Sequence, residues 1–433
     1  MLAPAGDSGK GAAMKQGTAT ARPGIVLTML LLVYICNFVD RQVLAILAAP
    51  IQRDLALDDA QMGLLGGVAF ALLYATCGVP LSTLADRTGR ARVIGWSLVV
   101  WSACTALCAA AQGFWHIFLA RLGVGVGEAG GVAPSYALIG EYFPSDRRAR
   151  ALAIYSLGIP IGSAAGVLAG GTIAALVDWR LAFVVVGALG LILAPIFALL
   201  VRDRPSAGRA APAPLRHTAA LLVRRRSFWL LSLAQALASM AGYGIVFWLP
   251  SVLQRSFGLD LMGSAQFFAG LLLLGGIAGV LGGGWLGDRL GRRDRAWHAW
   301  LPGAAFLLSA PLFAAGIISG DWRLAFALFL VPQALSYFWM GPVLSAVQHL
   351  VVAAERSMAS ALFLLINNLL GLAGGTWALG LLADHLRPLY GDDALRHAML
   401  WSLLFYLAAG LLLLAGGRWL RRDWVPEPAS TNS

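Results

Sequence analysis

The chain has 433 residues, of which 59% are hydrophobic and only 12% charged, with 51 glycines and 15 tryptophans. A mean hydropathy of +0.75 over that length excludes a soluble domain and describes a polytopic membrane protein. The net charge of +11 is scattered through tails and loops, which makes it topological and excludes a nucleic-acid footprint.

Runs long enough to cross about 30 Å of hydrocarbon at about 1.5 Å per residue recur along the chain. After a tail, 1–24, a first half, 25–201, holds predicted spans 25–47, 60–84, 92–111, 114–138, 150–175 and 181–201. A linker rich in Arg, Pro and Ala, 202–226, leads to a second half, 227–420, with spans 227–253, 262–286, 297–319, 322–348, 357–383 and 396–420, and a tail, 421–433. Twelve helices are therefore expected, because lipid offers backbone groups no hydrogen-bond partner and a helix satisfies its own. The first run is longer than a signal-peptide core and no small-residue cleavage site follows, so it reads as an uncleaved helix. Most of the 32 Lys and Arg fall in the tails and in the loops after spans 2, 4, 6, 8 and 10. That bias predicts both termini in the cytoplasm and the chain in the cell inner (plasma) membrane.

Taken in chain order, span 1 carries Asp40 and Arg41, and span 4 carries Arg121 and Glu128. A charge at the bilayer centre costs on the order of 3 kcal/mol, so these four must pair or line water. Depth along the helices predicts an Asp40 to Arg121 contact, with Glu128 on the same stripe of span 4 about 10 Å further along. Gly123, Gly127 and Gly131 in that span are spaced to admit a neighbouring helix backbone. Desolvation disfavours a buried carboxylate and a nearby arginine favours it, so a moving arginine can load or unload a proton. Asp40, Glu128, Arg121 and Arg41 are thus the candidate proton-coupling and gating set. The bland alternative is a permanent bridge between spans 1 and 4, although buried bridges stabilise poorly compared with apolar packing. Pro160 is expected to kink span 5. Cys36, Cys77, Cys104 and Cys108 all fall in spans, where they act as small apolar residues.

The spans of the second half contain no acidic or basic side chain in their interior. The expected substrate cavity sets Tyr34, Asn37, Arg41 and Arg121 against Tyr243, Phe247, Tyr337, Trp339 and Asn367. One charged wall and one aromatic wall suit an amphipath better than a sugar, which needs many hydrogen bonds. The sequence contains no nucleophile elbow, phosphate loop or metal-ligand cluster, so an enzyme, a cofactor and a metal site are not expected.

Two loops repeat. Leu84-Ala-Asp86-Arg87-Thr-Gly89-Arg90 follows span 2, and Leu286-Gly-Asp288-Arg289-Leu-Gly291-Arg292-Arg293 follows span 8. Arg148 and Arg356, each leading into an Ala-rich helix start, repeat at a similar offset. Six helices, a linker and six more is the architecture of major facilitator transporters. The loops resemble the signature of that superfamily, Gly-x-x-x-Asp-Arg/Lys-x-Gly-Arg-Arg/Lys. Gly284, Asp288, Arg289, Gly291, Arg292 and Arg293 satisfy it fully, while the first copy has Ser82 and Ala91 in place of the leading glycine and the final basic residue. A conformational latch is expected at Asp86, Arg87, Gly89, Arg90, Arg148, Asp288, Arg289, Gly291 and Arg292, whose arginines also set topology.

Within that superfamily the chain resembles the Spinster branch. The resemblance rests on Asn37-Phe-Val-Asp40-Arg41, on Arg121-Leu-Gly-Val-Gly-Val-Gly127-Glu128 with Ala133-Pro134, on Ile159-Pro160-Ile-Gly162-Ser163, and on Arg202-Asp-Arg-Pro205. It implies secondary active or facilitative transport of a lysophospholipid or sphingoid phosphate by alternating access, with Asp40, Arg121 and Glu128 at coupling and gating positions. Its partners would be that amphipathic substrate, protons and membrane lipids, and the protein a monomer. The residues also suit a drug/proton antiporter or organic anion transporter, and, from another class, a lipid sensor that translocates nothing.

Overall fold

A computed structural model describes residues 22–203, 215–352 and 355–425, and within them every regular element is helical. The two tails and part of the linker therefore lie outside the described residues. Among the described residues nine stretches are long and apolar enough to cross a membrane, from Pro23–Ile46 to the 66-residue Met358–Asp423, which takes in nearly all of the expected span 11 and the whole of span 12. Spans 4 and 10 fall below that length because each is broken. Span 4 divides at Gly130 into helices Phe114–Ala129 and Val132–Tyr142, and span 10 divides after Leu335 into Trp322–Leu335 and Pro342–Gln348. A nine-residue helix, Leu215–Val223, occupies part of the stretch read as linker.

Local chemistry explains several helix starts. Asp58 and Gln61 form a reciprocal capping box on Asp59–Gly66, the start of span 2. Asp178, Asp260 and Asp321 cap the helices of spans 6, 8 and 10, each accepting a hydrogen bond from a first-turn backbone N–H. Pro160 acts as expected: the helix of span 5 is interrupted at Leu157, between Ser145–Ser156 and Gly158–Leu176, where a proline displaces the carbonyl four residues earlier. Span 11 contains a π-helical turn, Asn367–Leu372.

Spans 3 and 4 pack as the glycine spacing predicts, since a Cβ on Gly127 would lie 2.6 Å from the backbone nitrogen of Trp101. The two halves meet closely at the end where spans 2, 6, 8 and 10 begin, called here the far end. Gly63 of span 2 lies against the backbone of Thr376 and Trp377 in span 11, and Gly171 of span 5 against Ala265 of span 8. The two signature loops lie at the other, motif end.

Candidate functional site

The four charges of spans 1 and 4 form two ion pairs. Arg121 Nη1 lies 3.3 Å from Asp40 Oδ1, and the Thr105 hydroxyl donates to Asp40 Oδ2. Arg41 takes the other partner: its Nε and Nη2 both lie 2.8 Å from Glu128 Oε2. Adjacent residues on span 1 thus engage groups seven positions apart on span 4, because the long arginine side chains cover the axial distance between them. Asp40, Arg121 and Glu128 are at most 2% exposed.

An aromatic cage surrounds the cations. The Arg41 guanidinium lies over Phe38, Phe70 and Tyr74 at 5.1, 4.7 and 4.8 Å from their centroids. Some polar atoms remain unsatisfied: Glu128 Oε1, Arg121 Nε and Asn37 Oδ1 are buried without a hydrogen-bond partner among the described residues. In low dielectric such atoms are expensive, and each marks a place where a proton, water or ligand atom gains free energy by arriving.

A cavity of about 150 Å³ lies between the halves, and residues of spans 1, 5, 7, 9, 10 and 12 line it. Of the residues expected there, Tyr243, Tyr337 and Trp339 are in its wall. The others pack elsewhere. Tyr34 stacks on Tyr155 with centroids 4.3 Å apart, Phe247 meets Trp248 edge-on and closes over Gly66, and Asn367 Oδ1 accepts from the Ser239 hydroxyl at 2.7 Å. Arg41 and Arg121 belong to the ion pairs, and Phe38, under the Arg41 guanidinium, is itself one of the residues lining the cavity. None of the wall residues is charged.

A far-end network was not anticipated from sequence. Asp59, at the start of span 2, accepts from Arg255 Nη1 at 3.0 Å and Nη2 at 2.9 Å, and from Arg387, both in the second half. Arg255 also donates to Gln52 Oε1 at 2.7 Å, and Asp384 Oδ2 accepts from the Ala60 backbone at 2.7 Å. Its partners are 196 and 328 residues from Asp59, so no local spacing reveals them. The one available signal was acid at a span start facing basic residues at the ends of spans 7 and 11.

At the motif end, Asp86 pairs with Arg90, which also reaches Glu141, and the Ala91 backbone donates to Asp203 Oδ1 at 2.7 Å. Gly89 adopts φ +118°, a conformation only glycine accepts without strain. Arg148 donates to the Gly140 carbonyl at 3.0 Å, and Arg87 is exposed. These ties join spans 2, 3, 4 and 6 within the first half. In the second copy Arg289 lies over Trp285 at 5.6 Å, Gly291 packs on the His298 ring, and Asp288 and Arg292 are exposed. Gly284, the leading glycine, has open space where a Cβ would stand.

The Major Facilitator Superfamily family model matches residues 30–375. The chain belongs to that superfamily. Over 405 residues, covering 92% of the chain and 94% of the relative, it is 34% identical to an MFS-type efflux pump of Mycolicibacterium smegmatis. It is 28% identical to human protein spinster homolog 1, covering 92% of the chain and 80% of that protein. A crystal structure of a bacterial homologue to the human lysosomal transporter Spinster, inward-facing and unoccupied, superposes with TM-score 0.84 at 27% identity, over 94% of this chain and 99% of the other. The chain is therefore a Spinster-like major facilitator, a transporter working by alternating access and not an enzyme.

Proposed function

We propose that this transporter moves an amphipathic, lipid-like solute of the lysophospholipid or sphingoid phosphate class and couples that movement to protons through Glu128. One observation carries the coupling: Glu128 is wholly buried, with Oε2 on Arg41 and Oε1 unpartnered. An anionic cargo head drawing Arg41 away would leave the carboxylate uncompensated, and it would then bind a proton, most readily at the free oxygen. Asp40 and Arg121 act as the gating pair. Release of cargo returns Arg41 and expels the proton after the halves rock.

The far-end network is the closed gate in this state, and superposition on an inward-facing relative supports that reading. The motif end accordingly faces the cytoplasm, with both termini, and its two loops latch the opposite state when the halves close there. The working unit is one chain of two halves, 25–201 and 227–420, in the inner membrane. The M. smegmatis relative, an efflux pump by name, favours a second reading: drug/proton antiport through the same site.

The test is proton flux in proteoliposomes holding a pH dye, with lysolipid, sphingoid phosphate, cationic drug and aromatic acid added in turn. Flux triggered by a lysolipid or sphingoid phosphate and absent in Glu128→Gln supports the reading. Flux with the cationic drug alone supports antiport instead. Tracer uptake intact without proton flux overturns the coupling, and binding without uptake makes the protein a lipid sensor.

A further inference from the structure

The cavity wall contains a second kind of orphan. Gln42 of span 1 and Gln235 of span 7 both line it, and Gln42 Oε1 and Gln235 Oε1 are buried with no hydrogen-bond partner. Gln235 is 1% exposed and held in place: its Nε2 donates to Ser239 Oγ at 3.1 Å, and Ser239 is fixed in turn by Asn367. This relay orients one amide end and leaves Oε1 of a cavity-lining residue without a donor. Among the described residues of the wall none is charged, so none of them compensates an ion.

Resting on the transport reading, we infer that Gln42 and Gln235 form a subsite for an uncharged hydroxyl of the cargo, beside the position its ionic head takes over Arg41. The orphaned atoms are amide oxygens, so a hydroxyl satisfies one by donating its proton, whereas an ether or a methylene has no proton to donate and leaves it orphaned. Size agrees. At about 150 Å³ the cavity is smaller than pockets that enclose whole drug-sized ligands, so it accommodates a polar fragment and not an acyl chain. The two amides come from opposite halves, so vicinal hydroxyls that donate one to each oxygen report cargo to both. Tyr243 and Tyr337 supply phenol groups to the same wall.

The experiment compares two labelled neutral probes, 1-monolauroylglycerol and its di-O-methyl ether, for equilibrium binding to the full chain in nanodiscs. The diol is expected to bind about tenfold tighter or more, since a site built to hydrogen-bond a hydroxyl rejects the analogue lacking it. In Gln42→Met and in Gln235→Met the diol should fall to the level of the ether, with the ether unchanged. Gln42→Met should leave the melting temperature intact, whereas Gln235→Met also removes the hydrogen bond to Ser239 and should lower it modestly. Should either variant fail to fold, the native comparison alone decides. Equal binding of both probes, no binding of either, or a preference surviving both substitutions overturns the subsite. Tracer uptake of lysophosphatidic acid into vesicles separates the two readings. A hydroxyl preference without uptake sinks transport alone, and uptake without a preference sinks the subsite alone.

Discussion

Arg41 and Glu128 are joined through a single carboxylate oxygen: the guanidinium Nε and Nη2 both lie 2.8 Å from Oε2, while Oε1 of the same buried group meets no donor. Under the proposed coupling, this carboxylate, held on one side only, trades its arginine for a proton. In Glu128→Gln the trade cannot occur. An imposed proton gradient should then no longer drive accumulation, while exchange of labelled for unlabelled cargo continues. Accumulation that persists in the variant removes Glu128 from the coupling.

Asp40 and Arg121 pair at 3.3 Å in the same buried interior. Removing one partner strands a buried charge, which costs about 3 to 5 kcal/mol, whereas removing both does not. Arg121→Leu should therefore lower the melting temperature sharply in detergent, and Asp40→Asn combined with Arg121→Leu should recover most of the loss. A double variant as unstable as the summed single losses would show that the two are not energetically coupled.

At the far end Asp59 accepts hydrogen bonds from Arg255 and Arg387 across the halves. Loss of its charge in Asp59→Asn should favour the far-open state, and each 1.4 kcal/mol is about a tenfold shift in population. Ala265 packs on Gly171 at this interface and is fully buried, so Ala265→Cys reports opening. A membrane-impermeant maleimide should label it several-fold faster in the Asp59→Asn background. Equal rates in the two backgrounds would remove the gate role.

Gly89 tests the first signature loop. Its φ of +118° disfavours any side chain, and a Cβ there would also run into the Asp203 carboxylate. Gly89→Ala should cost on the order of 1 to 3 kcal/mol of stability and cut uptake with it. Gly78→Ala, in a helix where a Cβ meets nothing within 4 Å, should be neutral or stabilising. Similar losses in both variants would deny Gly89 its special conformation.

Asp294 lies outside the spans, and its hydrogen bond from Arg421 holds its carboxyl below the usual carboxylate range. A lowered folded value contributes stability above the unfolded value, about 3.9, and loses it as pH falls through the folded one. The tie between the loop after span 8 and the end of span 12 should thus persist through mildly acid conditions. Asp294→Asn should lower the melting temperature at pH 7, and the difference from native should fade as the pH falls below the unfolded value and through the lowered folded one. A difference independent of pH would assign it to packing.

Much of the site was legible because membranes make charge conspicuous. Asp40, Arg41, Arg121 and Glu128 stand out in apolar runs, and helical rise alone placed Asp40 beside Arg121. The same arithmetic set Arg41 level with Asp40 and did not foresee its reach to Glu128, since side-chain length and rotamer are absent from axial spacing. Gly127 could be read as a close approach because four-residue spacing has one geometric meaning on a helix. Tyr34 and Asn367 were expected in the cavity wall and pack elsewhere, because that choice depends on how a helix is rotated about its axis.

By itself, then, the sequence determined the class, the repeated halves, the signature loops and the four charges that need partners. Those follow from the hydrophobic thickness of a bilayer, from local periodicity and from the energy of a buried ion, all of which act within one helix. Only the tertiary structure decided which arginine meets which carboxylate, that Gln42 and Gln235 share an uncharged wall, and that Asp59 gathers Arg255 and Arg387. These are relations between helices up to 328 residues apart. They are set by helix rotation, breaks such as that at Gly130, and close backbone approach, and no window along the chain encodes them.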